Sequence, residues 1–153
     1  DGRTLEHAAF SELQIDVPID EEAMLQAMGR TDGYRVERTE MRSTSANMQG
    51  WALRSEVPGF KAVGCYQRPI AAGEAARSAG NSTMQWVFSD GLATVSLFVE
   101  VFDAQRHGRE GARALGGASH AVAKRINAWW ATAVGEVPAT TLGMFLQELE
   151  RRK

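Results

Sequence analysis

Along residues 84–102, MQWVFSDGLATVSLFVEVF, apolar and polar positions alternate on both sides of Ser89-Asp90-Gly91. Alternation of this kind puts one strand face in a core and the other in solvent, so a β-hairpin is predicted. Asp-Gly supplies the two positive-φ residues that a type I′ turn requires, which makes Asp90 and Gly91 the expected two-residue loop. Ser89 then faces Leu92, Phe88 faces Ala93, Trp86 faces Val95 and Met84 faces Leu97. One face collects Met84, Trp86, Phe88, Val95, Leu97, Val99 and Val101. The other holds Gln85, Val87, Thr94, Ser96 and Glu100, and on it Phe98 and Phe102 are misfits. A three-residue loop would shift the pairing by one and mix the two sets.

The same reading extends along the chain. Leu5 to Val17 has Leu5, Ala9, Leu13, Ile15 and Val17 at odd positions and Glu6, Glu12, Gln14 and Asp16 at even ones, the pattern of a strand with one wet face. Pro18 ends it, and Asp20 to Gly29 carries acidic residues first and Gly last, the punctuation of a short helix. A short strand is expected over Tyr34 to Glu40. The small, polar stretch Met41 to Gly50 marks the boundary of the main domain. Beyond it, strands are expected at Trp51–Arg54 and Phe60–Arg68, the latter bent at Gly64. Residues 69–83 read as a surface connection, and Asp103 to Ala118 as a long Gly-rich, Arg-bearing loop. A second hairpin joins Ser119–Ile126 to Trp129–Val137 through Asn127-Ala128, although Ala is poorly suited to positive φ. In Thr140 to Arg152 the spacing of Leu142, Phe145, Leu146 and Leu149 predicts an amphipathic closing helix, with Arg151, Arg152 and Lys153 at its C-terminus. The elements sum to an α+β fold, an antiparallel sheet of hairpins with the last helix packed on it.

Composition narrows the function. The chain has 153 residues, 44% of them hydrophobic, enough for one ordinary core. A formal net charge of -2 gives no electrostatic reason to expect nucleic acid or an anionic membrane as partner. No apolar run approaches the length of a membrane span. The first residue is Asp1, without an apolar leader, so the sequence reads as a fragment of a longer protein whose export signal would lie upstream. Cys65 is the only cysteine, which excludes an internal disulfide and fits a small core side chain.

Chemistry is hard to find. His7, His107 and His120 lie on three segments without metal-ligand spacing, and Ser119 and His120 are strand neighbours that point to opposite faces. The glycines of Gly108 to Gly117 lack the Gly-Lys-Ser/Thr ending of a phosphate loop. No catalytic, cofactor or metal site is therefore expected. Large rings remain: Trp51, Tyr66, Trp86, Trp129 and Trp130. Core packing is the default reading for each, but Trp129 and Trp130 are consecutive on a strand and must face opposite sides. The residues expected to hold a partner are Phe98 and Phe102, with Trp129 and Trp130 behind them.

Taken in order, Trp51, VPGF at 57–60, QRP at 67–69, FSDGLATVSLFVE, GASHAVAKRI and VGEVPATT resemble the C-terminal domain of the RseB/MucB family, over about residues 50 to 153. LEHAAFSELQIDVPID resembles the closing strand of that family's LolA-like N-terminal domain. The sequence departs from the family at Asn127 to Trp130, where an acidic or Gly-containing turn is more usual. The resemblance implies residues 1–45 as the end of a LolA-like domain with its linker, and 46–153 as the C-terminal domain. It also implies a non-enzymatic periplasmic regulator of the sigma-E envelope stress response. Its partner would be the periplasmic part of an RseA- or MucA-like anti-sigma factor, shielded from proteolysis. Lipid or lipopolysaccharide sensing would belong mainly to the N-terminal domain, and an orphan strand at 5–17 would offer an edge for a homo-oligomer. The alternative is a small-molecule or lipid carrier, which needs an enclosed apolar cavity between sheet and helix.

Overall fold

The computed structural model describes residues 7–34, 41–69 and 82–152. The chain divides into two units, Glu6–Arg38 and a larger one made of Asp1–Leu5 with Thr39–Lys153.

In the smaller unit, helix α1 spans Glu21–Gly29, as its acidic start and terminal Gly predict. Asp20 caps it, its carboxylate accepting the Ala23 backbone N–H at 3.0 Å. None of its residues is buried. The strand expected over 5–17 does not form among the described residues 7–17, which are exposed and outside any ladder. Alternation supplies a strand's faces but not its partner, and none of the described strands pairs with this segment. Residues 35–40, where a further strand was expected, lie outside the described residues, and so does most of the 69–83 connection.

The larger unit is built on a seven-stranded antiparallel sheet. Its strands are β1 (Arg42–Ser43), β3 (Lys61–Pro69), β4 (Ser82–Ser89), β5 (Thr94–Val101), β6 (Gly111–Gly116), β7 (Ser119–Ile126) and β8 (Trp129–Gly135). They lie in the order β1-β3-β4-β5-β8-β7-β6. Helix α2 (Ala139–Glu148) packs against β7 and β8. A separate two-stranded ladder joins β2 (Trp51–Leu53) to β9 (Leu149–Arg151), with Trp51 opposite Arg151. The fold is thus α+β, with hairpins β4–β5 and β7–β8 at the centre.

The central hairpin corrects the predicted turn. Ser89 pairs with Thr94, Phe88 with Val95, Trp86 with Leu97 and Met84 with Val99, two residues beyond the expected register. Asp90 still belongs to the ladder, its backbone N–H donating to the Ala93 carbonyl, so Gly91 and Leu92 form the loop. Only Gly91 takes a positive φ, at 96°. The Asp90 carboxylate accepts the N–H groups of Ala93 at 2.7 Å and Leu92 at 2.9 Å, which holds it below the usual carboxylate range. Sliding the loop by one residue moves the register by two, and an even shift leaves every side chain on its predicted face. Met84, Phe88, Val95, Leu97 and Val99 are buried, whereas Val101 at the strand end is 49% exposed.

The second hairpin turns at the predicted place, with Ile126 opposite Trp129. Asn127 alone supplies the positive φ, at 55°, a conformation that Asn tolerates, so Ala128 is spared. In β3 the register breaks between Ala62 and Gly64, and this bulge hands the inward position to Cys65. Burial raises the pKa of that thiol, as suits a core side chain.

Two further expectations fail. The Gly-rich loop at 103–118 contains β6, a fully exposed edge strand laid on β7. Gly and Ala hide a strand from propensity, yet the open edge of β7 gives it a ladder. The closing helix stops at Glu148, because Leu149 to Arg151 leave it to pair with β2. Leu142, Phe145 and Leu146 form the predicted stripe and are buried with Leu97 and Ala133, whereas Leu149 reaches the same core from a strand.

Candidate functional site

Helix α2 covers one face of the sheet, so the candidate surface is the other. Register across five strands assembles it: Gln85, Phe98, Thr132, Ala123 and Gly111 lie in one row. The next row on one side is Val87, Ser96, Val134, Ala121 and Arg113, and on the other Glu100, Trp130 and Arg125. Alternation therefore gathers aromatic rings and arginines on the face opposite the one that α2 covers.

The third row is the most built part of this face. Glu100 accepts hydrogen bonds from Arg106 Nη2 at 2.9 Å and from Thr83 Oγ1 at 3.3 Å. Its other oxygen lies 3.0 Å from His107 Nε2. His107 Nδ1 accepts the Asp103 backbone N–H at 2.8 Å, so the hydrogen sits on Nε2 and is donated to Glu100. Burial pushes the Glu100 carboxyl up, but the hydrogen bonds from His107 and Arg106 and the Arg106 charge outweigh it and leave the group below its ordinary range. The imidazole is stacked on Trp130 at 5.1 Å and on Phe102 at 5.6 Å between ring centres. Arg125 covers Phe102 with its guanidinium 3.9 Å from the ring centre.

The sequence-predicted residues fall into three environments. Phe98 stands half-buried in the open row, with Arg68 6.0 Å from its ring centre. Phe102 and Trp130 are joined through His107, and Trp130 is only 6% exposed because residues 103–107 of its own chain fold over it. Trp129 faces the opposite way, as consecutive strand residues must, and meets Trp51 edge-on at 5.7 Å. Arg151 lies 4.6 Å from the Trp129 ring centre and 5.2 Å from that of Trp51. Phe98, Phe102 and Trp130 thus share one face, and Trp129 does not. Sequence reasoning missed the Glu100–Arg106–His107 cluster, since residues seven apart across a loop leave no periodic trace. It also missed Arg113 and Arg125, whose shared face shows only once β6 is known as a strand.

This arrangement is suited to binding. A triad-like reading of Thr83, Glu100 and His107 fails because both imidazole nitrogens are occupied, leaving none to take a proton from a nucleophile. Among the described residues no group of His, Cys, Asp and Glu side chains could hold a metal ion. The space between sheet and helix is filled by Leu97, Ala133, Leu142 and Phe145, all with no exposed surface. A depression of about 690 Å³ lies instead at the rim near Ala46, Val57, Phe60 and Trp86. It is open to solvent, unlike the enclosed cavity a lipid carrier needs. Among the described residues no helix is long and apolar enough to cross a membrane.

Comparison with known proteins agrees with this architecture. The crystal structure of MucB in complex with MucA(peri) superposes with a TM-score of 0.51 at 21% identity, covering 68% of this chain and 37% of that one. The complex structure of Pseudomonas aeruginosa MucA/MucB gives the same TM-score and identity and covers 68% of this chain and 35% of that one. These likenesses concern the fold, and the chain spans only about a third of the length of either structure. No curated protein matches the sequence. The family model of the MucB/RseB C-terminal domain matches residues 45–150, more than half of the sequence, and the chain belongs to that family.

Proposed function

We propose that this chain is the anti-sigma-binding part of a periplasmic, non-catalytic regulator of the sigma-E envelope stress response. It holds the periplasmic region of an RseA- or MucA-like anti-sigma factor and shields that region from regulated proteolysis. The observation that carries this reading is the family match over residues 45–150. The fold shared with MucB, which the solved structures contain together with MucA, supports it. In this reading residues 46–153 are the binding domain and residues 1–45 are the end and linker of a preceding LolA-like domain, to which lipid sensing belongs. Phe98 and Phe102 are the contact residues, and Trp130 is the floor on which Phe102 and His107 rest.

Isothermal titration of the chain with the periplasmic region of the cognate anti-sigma factor tests the reading. Saturable binding is expected, together with slower cleavage of the anti-sigma factor by its protease when the chain is present. Phe98→Ala and Phe102→Ala should each weaken binding by about 1–2 kcal/mol while leaving the fold intact. Unchanged affinity in both folded variants would move the interface off this face. Absence of binding at high micromolar concentration would overturn the fragment-level function.

A further inference from the structure

Strand β6 forms one edge of the seven-stranded sheet, and every one of its residues is exposed. Among the described strands none pairs with its outer side. The direction of its backbone groups follows from β7. Arg125 turns its backbone N–H toward β6, donating to Glu110 Oε1 at 2.9 Å. Because N–H directions alternate along a strand, Ala123 and Ala121 also point at β6, and they stand opposite Gly111 and Arg113. In antiparallel ladders the intervening pairs turn away from each other, so Ala112 and Ala114, opposite Val122 and His120, aim their N–H and C=O groups outward.

The charge at this edge has one sign. Residues 109–126 contain Arg109, Arg113, Lys124 and Arg125 against the single carboxylate of Glu110, which the Arg125 backbone N–H already engages. Among the described residues neither Arg113 nor Arg125 forms an ion pair; Arg113 reaches the Arg109 carbonyl, at 3.2 Å, whereas Arg125 bonds the Asn127 carbonyl, at 2.9 Å, and lies over the Phe102 ring. Both lie on the face that carries Phe98 and Phe102.

We propose that the outer edge of β6 is a strand-addition site for an acidic, extended segment of a partner protein. The segment forms an eighth strand through Ala112 and Ala114, and its carboxylates face Arg113. A single charge on an otherwise open edge discourages indiscriminate pairing, and Arg113 does so while favouring an anionic strand. This inference deepens the function proposed above by naming the chemistry of the segment that is held, and it rests on that reading for the partner's identity.

Two probes separate the inference from that reading. The first is the periplasmic region of the anti-sigma factor, titrated into wild type, Arg113→Glu and Ala112→Pro, the last removing an outward N–H without touching a ladder bond to β7. Each variant, shown folded by circular dichroism, should bind roughly tenfold or more weakly than wild type. Wild-type affinity in both folded variants overturns the edge site and leaves the function standing. The second probe is a short synthetic peptide of alternating Glu and Val, with a Lys-Val peptide as control, read by amide hydrogen exchange. Protection of Ala112 and Ala114 by the Glu peptide alone upholds the site even where the anti-sigma region does not bind. Equal protection by both peptides, or by neither, refutes it. So does a dimer in sedimentation that Ala112→Pro dissolves, since the occupant would then be a second copy of the chain.

Discussion

At the scale of single residues, the informative group is Glu100. It was legible in the sequence only as a carboxylate on a wet strand face, and Phe102 only as a misfit beside it. The structure supplies the reason for both: the segment 103–107 folds back so that His107 and Arg106 reach Glu100 while the imidazole fills the space between Phe102 and Trp130. A folded-state pKa held below the unfolded value of about 4.3 means that the ionised carboxylate stabilises the fold. That contribution is fully present above the unfolded pKa and is lost as pH falls through the folded one. Urea unfolding measured between pH 7 and pH 3 should therefore show a drop in stability below about pH 4.5 that is smaller in Glu100→Gln, which is already weakened at neutral pH. An identical pH profile in the variant would remove Glu100 from the account.

At the scale of elements, the faces were legible and the ends were not. Alternation in β5 assigned Val95, Leu97 and Val99 inward and Phe98 and Glu100 outward, and helical spacing picked out Leu142, Phe145 and Leu146. The turn between β4 and β5 slid by one residue because Gly91 alone takes the positive φ, a choice between neighbouring loops that the Asp-Gly pair does not decide. The helix end was missed for a similar reason: Leu149 satisfies the helical stripe and a strand's inward position equally well, and the free edge of Trp51–Leu53 decides between them. Phe145 joins these elements, touching Phe60 at 5.4 Å and Phe88 at 4.9 Å between ring centres. With no exposed surface in the native state, its truncation leaves a cavity as well as lost burial. Phe145→Ala should destabilise the domain by ~3–5 kcal/mol in denaturant titrations, and a loss below ~1 kcal/mol would mean that the site collapses around the gap.

At the scale of the whole molecule, the core cluster of the larger unit draws, among the described residues, on none before Ala46, and α1 buries none of its own. A chain beginning at Thr39 should accordingly unfold at the same urea midpoint as residues 1–153, with only a slightly smaller slope. A lower midpoint would show that the preceding residues contribute to the sheet's stability. The family was legible in ordered motifs. The basic edge was not, because Gly-Ala-Arg-Ala-Leu-Gly resembles a loop until a neighbouring strand is there to receive it.

The pairing of Trp51 with Arg151 has a consequence for how the domain comes into being. A polypeptide that emerges from its N-terminal side presents Trp51 long before Leu149 to Arg151, so the indole has no lid until nearly all of the sheet has been produced. The domain closes last at the place where it began. Through that interval the exposed ring is a natural handle for whatever escorts an unfinished chain.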